Sequence, residues 1–332
     1  MDVLSEMLSR VSLHGAVFFT AEFSAPWGVT TPPADALTQA VSPVSGHTVV
    51  YHLVVEGAAY AEIENGPSAM LGPGDIVVFP HGQAHHLSSS AAVPRPFPNY
   101  GVTEKILAHD LSPLCVGGGG QTARFVCGFM TCDPQLSRPL LCGLPSVFTV
   151  NIHGDSAGQW LESALLHMVR EAGSRRVGSA AMLAKLSEAL FVDTVRRYLA
   201  TMREEETGWL AGARDEVVGR SLHLLHGQVA RPWTIADLAA EVGISRSALV
   251  ERFTRFLKEP PMAYLTHWRL QLAARALATT SRGVAEIAGD VGYESEAAFN
   301  RAFKRQFGQP PGRYRSGIRS ANAETDSDSQ RR

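Results

Sequence analysis

Two near-copies of one pattern, about 50 residues apart, constrain the C-terminal third of this 332-residue chain more than any other feature. The first runs from Thr234 to Gly243 and on from Ser245 to Pro261. The second runs from Gly283 to Gly292 and on from Ser295 to Pro311. In the first copy Ile235, Leu238, Ala239 and Val242 fall at i, i+3, i+4 and i+7, one apolar face of a helix. Thr234 followed by Asp237 makes a capping-box pattern, and Gly243 suits the left-handed residue that ends a helix. Ser245 is placed to cap a second helix whose Leu249 and Phe253 face inward. The second copy repeats the layout with Val284, Ile287, Ala288 and Val291, then Gly292, Ser295, Phe299, Phe303 and Phe307. One extra residue in its turn moves the offset from 49 to 50. Pro260-Pro261 and Tyr264 recur as Pro310-Pro311 and Tyr314.

Helix, glycine turn and helix is the layout in which one helix braces another against the major groove of DNA. Only the unburied face of the second helix is free to touch bases. In the unit over 234–257 that face offers Arg246, Ser247, Val250 and Glu251. In the unit over 283–307 it offers Glu296, Ala297, Asn300, Arg301 and Lys304. Arginine pairs with guanine edges and asparagine with adenine. Arg255, Lys258 and Arg305 are placed to hold phosphates, which add affinity but not sequence. The Ala- and Leu-rich stretch Pro261–Ala278, with proline suited to a first helical turn, would set the spacing of the two reading helices. The charge agrees: residues 212–316 hold about 15 Lys/Arg against about 10 Asp/Glu, while residues 1–211 hold about 12 against about 19. A basic module on an acidic remainder suits a nucleic-acid partner for that module.

Residues 214–316 resemble the DNA-binding domain of the AraC/XylS family of bacterial transcription regulators. The stretch from Gly292 through Phe299-Asn300-Arg301-Ala302-Phe303 to Gly312-Arg313-Tyr314-Arg315 follows that family's most characteristic signature almost throughout. The resemblance implies two helix-turn-helix units on tandem half-sites of double-stranded promoter DNA, base contact at Arg301, and activation through RNA polymerase. The first reading helix departs from the pattern at Ser247, Val250 and Glu251.

The N-terminal half reads differently. Short apolar runs cut by Gly and Pro, at Val49–Val55, Ala58–Ile63, Ile76–Phe79, Arg124–Met130 and Val147–Ile152, predict strands of an all-β sandwich or barrel. The run Gly117–Gly120 reads as a flexible loop. Helical spacing follows, with Leu161, Leu165, Met168, Leu183, Leu186, Leu190, Val195 and Leu199. The stretch Gly74-Asp75-Ile-Val-Val-Phe-Pro80-His81-Gly82, on to His85, resembles the second motif of cupins, and Gly46, His52 and Gly57 part of the first. That implies a cupin-like barrel as sensor, followed by a helical dimerisation element. A cupin metal site needs several imidazoles and a carboxylate. His52 and His85 match two ligand positions, with His47, His81 and His86 as substitutes. Val54 replaces a histidine, and Ala58 and Ala59 stand near the expected carboxylate.

The expected organisation is therefore a cupin-like domain over 1–155, a helical dimerisation segment over 156–206, a linker over 207–213, the DNA-binding domain over 214–316 and a disordered tail over 317–332. The four cysteines fit no zinc template. Cys127 and Cys132 are close enough in sequence to be bridged across a turn, an oxidant-sensing pair, against the ordinary role of buried small hydrophobe. No membrane span or secretory signal is visible, so a cytoplasmic protein is expected, and the family resemblance implies a homodimer. The function expected is a DNA-binding regulator, not an enzyme, responding to a small-molecule effector, a divalent transition metal in the barrel, or an oxidant. The alternatives are a metal-dependent cupin enzyme and a DNA-binding protein that needs no effector.

Overall fold

The computed structural model describes residues 3–10, 13–34, 47–64, 66–108, 110, 112–132, 140–141, 143–174, 176–203 and 206–318. The tail expected over 317–332 lies almost wholly outside them. The chain forms two compact units.

The β unit comprises Ser12–Pro134 and Leu144–Met202. Its strands are β1 (Leu13–Ser24), β2 (Gly28–Thr31), β3 (His47–Glu56), β4 (Ala59–Ile63), β5 (Ser68–Leu71), β6 (Asp75–Phe79), β7 (His85–Ser88), β8 (Leu114–Gly117), β9 (Thr122–Cys132) and β10 (Phe148–Asn151). One sheet has the order β10-β6-β3-β9-β1-β8 and the other β2-β7-β4-β5. Successive side chains alternate between faces of a strand. Val50, Val54, Val77, Phe79, Phe125, Cys127 and Phe129 therefore share one core with Trp27, just before β2, and with Val29, Ala61 and Leu87 of the other sheet. A short helix, α1 (Val3–Arg10), precedes this unit in sequence, and α2 (Val102–Leu107) lies within it. The back of the six-stranded sheet is covered by α3 (Ser156–Ser174) and α4 (Ser179–Thr201), which pack on β1, β9 and β10. There Phe148 of β10 meets Tyr198 of α4 at 4.6 Å between ring centres.

Three expectations are corrected. First, the boundary at 155 does not separate compact units, because α3 and α4 complete the β unit and α1 belongs to the helical one. Second, Gly117–Gly120 is a packed backbone crossing. Gly118 N bonds Ser24 O at 2.7 Å and Gly120 N bonds Ala25 O at 2.9 Å. A Cβ on Gly117, Gly118 or Gly120 would lie 1.9, 2.6 or 2.5 Å from atoms of Ser24, Pro26 and Ala25. Glycine stands there because the two chain segments approach too closely for a side chain. Third, the linker expected over 207–213 is mostly helix α5 (Trp209–Arg214), with Trp209 and Leu210 buried. Trp209 Nε1 donates to Tyr264 Oη at 2.9 Å. An apolar pair between two glycines is a packing anchor, and the glycines disguised it.

The helical unit continues with α6 (Glu216–Gly227), α7 (Ile235–Val242), α8 (Arg246–Leu257), α9 (Pro261–Thr279), α10 (Val284–Asp290) and α11 (Glu296–Phe307), then a helical segment over 311–318. The caps fall where the sequence puts them. Thr234 and Asp237 form the reciprocal capping box, and Ser245 and Ser295 accept from Ala248 N and Ala298 N. Gly243 and Gly292 have φ of 75° and 83°. Packing confirms the duplication: Phe253 meets Tyr264 edge-on at 5.7 Å, and Phe303 meets Tyr314 edge-on at 5.3 Å. Both members of the pair are offset by 50.

The copies differ where α8 and α11 end. Gly308 ends α11 at φ 75°, and Lys258 occupies the equivalent left-handed position at φ 62°. A side chain there strains the backbone. Lys258→Gly is expected to stabilise the helical unit by about 0.5–1 kcal/mol, the relief being partly offset by a looser unfolded chain. Denaturant midpoints of the two proteins measure it.

Candidate nucleic-acid interface and sensor interior

In α8, Leu249, Phe253 and Phe256 are buried, which turns Arg246, Ser247, Glu251 and Arg255 to solvent and leaves Val250 half-buried. In α11, burial of Phe299 and Phe303 exposes Glu296, Ala297, Arg301, Lys304 and Arg305 and leaves Asn300 half-buried. Both outer faces thus carry the residues named for them. The second holds an amide, a guanidinium and an ammonium within five residues. The first holds Arg246, Glu251 and Arg255 with the short side chains of Ser247 and Val250 between them.

The helix α9 between the units is fastened as well as long. Arg269 donates from Nε to Val229 O at 2.9 Å and from Nη2 to Arg231 O at 2.7 Å. Arg315 donates from Nε to Leu277 O at 3.3 Å and from Nη2 to Arg282 O at 2.5 Å. A Cβ on Gly292 would lie 2.8 Å from both Ala230 Cα and Arg269 Nη2, so the second turn packs against α9 and the loop that follows α6.

The β unit brings His52 and His85 together from opposite sheets, their Nε2 atoms 2.9 Å apart. Cys127 Sγ lies 3.0 Å from His52 Nδ1, and His85 Nδ1 lies 2.9 Å from Gln83 O. The proton positions follow by elimination. A carbonyl only accepts, so His85 Nδ1 carries hydrogen and, in a neutral ring, its Nε2 accepts. His52 Nε2 then donates, which leaves His52 Nδ1 to accept from the Cys127 thiol. The chain Cys127→His52→His85→Gln83 is complete and uncharged. Burial, then the neighbouring His85, holds His52 well below the usual imidazole range. Burial pushes His85 down to about 4 against the opposing bond to Gln83 O, and burial raises the Cys127 thiol. Phe79 stacks on His85 at 3.7 Å.

This arrangement does not fit a cupin metal. The His85 Nε2 lone pair already receives the His52 proton. Cys127 sits on the opposite nitrogen of His52 and is a thiol, whereas a metal takes thiolate. No cluster of three His, Cys, Asp or Glu suited to a metal occurs among the described residues. The substitutes are engaged elsewhere: His47 and His86 fall on the opposite strand faces from His52 and His85, and His81 lies in the turn after β6. His47 bonds Pro80 O at 2.5 Å, His81 bonds Leu144 O at 3.1 Å, and His86 bonds Thr30 Oγ1 at 2.9 Å.

The bridge expected across a turn between Cys127 and Cys132 is also corrected. Both lie on the continuous strand β9, five residues apart, which is about 17 Å and opposite faces at strand geometry. Cys132 Sγ donates to His47 O at 3.5 Å. Among the described residues the exposed thiol is Cys115, for which sequence spacing offered no signal. The partner of Cys127, 75 residues away, was equally hidden.

Removing the thiol donor leaves His52 Nδ1 buried without a partner. Cys127→Val is expected to cost about 1–3 kcal/mol, and Cys127→Ser, which keeps a donor, less; denaturant unfolding of the β unit ranks them. Acid adds a second test. Unfolded histidine protonates near pH 6.5, whereas folded His85 resists until about 4. The unfolded state binds more protons between those values. The stability contributed by neutral His85 is full above about pH 6.5 and falls toward pH 4, on the order of 1 kcal/mol per pH unit. His52 acts in the same direction. Unfolding midpoints at pH 7.5, 6 and 5 should show a shallower dependence in His85→Gln.

Comparison with known proteins places these features. The family described as Cupin matches residues 2–200, and a helix-turn-helix domain matches residues 238–317. The HTH-type transcriptional regulator AlkR of Acinetobacter baylyi is 28% identical, over 95% of this chain and 99% of its own length. The RCS-specific HTH-type transcriptional activator RclR of Escherichia coli is 26% identical, over 96% and 99%. A putative AraC-like transcription regulator of Streptomyces lividans is 37% identical over 60% of this chain and 65% of its own.

Proposed function

The chain belongs to the cupin family and carries an AraC-type helix-turn-helix domain behind its cupin unit, and from that premise we propose that it is an effector-responsive, DNA-binding transcription regulator acting as a homodimer. The observation that carries the DNA-binding half is the duplicated aromatic pin, Phe253 with Tyr264 and Phe303 with Tyr314, which turns the polar faces of two helices outward. The partner is double-stranded promoter DNA read at tandem half-sites, with RNA polymerase contacted from the bound complex in the cytoplasm. Arg301 and Asn300 read bases, and Lys304 and Arg305 hold the backbone beside them. Among the described residues no helix is long and apolar enough to cross a membrane.

The effector is a small polar molecule bound between the two sheets of the cupin unit. What supports this is a set of buried polar groups in an otherwise apolar core. His52 and His85 reach into it, and on the same face of β9 as Cys127 stands Thr131, whose buried Oγ1 has no hydrogen-bond partner among the described residues. An unpartnered buried hydroxyl is costly, and a ligand group would complete it. Exposed Trp160 on α3 and Met182 on α4 support the helical layer as the dimer face. Effector binding shifts the population of DNA-competent dimers.

Footprinting on the chain's own upstream region, with and without candidate effectors, tests the reading. Protection of two half-sites in phase is expected, and no protection at any sequence defeats it. Arg301→Ala should reduce discrimination at one base position by about 1–3 kcal/mol, measured by competition between the footprinted site and its single-base variants. An equal loss on specific and random DNA would make Arg301 a phosphate contact only.

A further inference from the structure

The base-facing line of the first reading helix carries Arg246, Ser247, Val250 and Glu251 where the second carries Asn300, Arg301 and Lys304, so contacts beside that line matter more for its hold on DNA. A depression of about 390 Å³ beside it is lined by Arg203, Arg214, Arg252 and Arg255 with Asp215 and Phe256. Among the described residues its ionisable lining is four guanidiniums and one carboxylate. Asp215 is already satisfied. It caps α6, accepting from Val217 N and Val218 N at 3.1 and 3.0 Å. It also takes Arg252 side-on, from Nε at 3.0 Å and from Nη2 at 2.8 Å. That grip fixes the Arg252 guanidinium and leaves its Nη1 edge without a bond among the described residues. Arg255 is exposed and, among the described residues, makes no ion pair; its guanidinium lies 5.3 Å from the Phe256 ring centre. Glu251 borders the adjoining depression but lies on the base-facing line.

The position matters as much as the charge. A helix with its side chains is about 10–12 Å across and the major groove about 12 Å wide. A docked helix therefore has a phosphate backbone at each flank. On α8 the base-facing line is Arg246, Ser247, Val250 and Glu251, and Arg252 and Arg255 stand to one side of it. Arginine forks match phosphate oxygens.

We propose that Arg203, Arg214, Arg252 and Arg255 form a seat for a DNA backbone phosphate, with Asp215 positioning Arg252 for it, and that this seat supplies the grip of the first helix-turn-helix unit. The proposal rests on α8 being a DNA-reading helix. It goes beyond that reading by assigning Arg203, Arg214 and Arg252, all outside the base-facing line, and a positioning role to Asp215.

The test is the slope of log affinity against log salt for the full-length dimer, on the footprinted site and on random DNA. Arg214→Ala/Arg255→Ala should flatten the slope by about one for each phosphate no longer neutralised, alike on both DNAs. Because removing Arg252 alone would strand Asp215, the second variant is Asp215→Asn/Arg252→Ala, in which asparagine keeps the helix cap. It too should flatten the slope, while Asp215→Asn alone should weaken binding through misplacement of Arg252. Unchanged slopes in both double variants, or a loss confined to the footprinted sequence, overturn the seat while wild-type binding leaves the regulator reading standing. Wild-type protein that binds no DNA overturns both. Replacing chloride with inorganic phosphate at equal ionic strength separates a free anion from DNA. Phosphate sensitivity abolished in the variants, with their DNA salt slope unchanged, would make this a free-anion site and defeat the proposal.

Discussion

Each reading helix is held from behind by one edge-on aromatic pair, and the rest of the DNA-binding unit depends on that hold. Phe253 against Tyr264 and Phe303 against Tyr314 tie the inner face of α8 and α11 to the segment that follows each. A helix of about twelve residues is marginal alone in water. Burial of its inner aromatic fixes its rotation, and rotation decides which side chains meet DNA. The first pair is further tied, since Tyr264 Oη lies 2.9 Å from both Trp209 Nε1 and His226 Nε2. The second rests on Phe307 as well. The two copies share a pin and differ in its support.

The β unit meets a different constraint. Its core holds two imidazoles and a thiol, groups that apolar surroundings penalise when charged. The solution is a neutral chain in which each donor meets one acceptor, running from β9 across β3 to β7. A metal would need the same lone pairs free. The loss of the second histidine at Val54 and of a carboxylate near Ala58 and Ala59 removes the remaining ligands. The interior between the two sheets is thus polar but uncharged.

Much of this was legible in one dimension. Caps, glycine turns and apolar stripes are local, so Thr234, Gly243, Ser245 and Ser295 could be placed from their neighbours. The strands β3, β4, β6, β9 and β10 were visible as apolar runs. β1, β2, β5, β7 and β8 were not separated, because short or two-sided strands show little alternation and are fixed only by pairing. Composition misled twice. Glycines around Trp209 suggested a linker where an anchor is buried, and Gly117–Gly120 suggested flexibility where backbones cross.

The sequence by itself determined that a helix-turn-helix occurs twice, which face of each second helix is outward, and that the cupin ligand set is incomplete. These rest on periodicities of a few residues. Only tertiary structure decided that His52, His85 and Cys127 close into one chain, that Cys127 and Cys132 turn apart, and that Asp215 grips Arg252. The bonded pairs among them join residues 33, 75 and 37 positions apart. Strand register and helix packing, not local preference, set which of them meet.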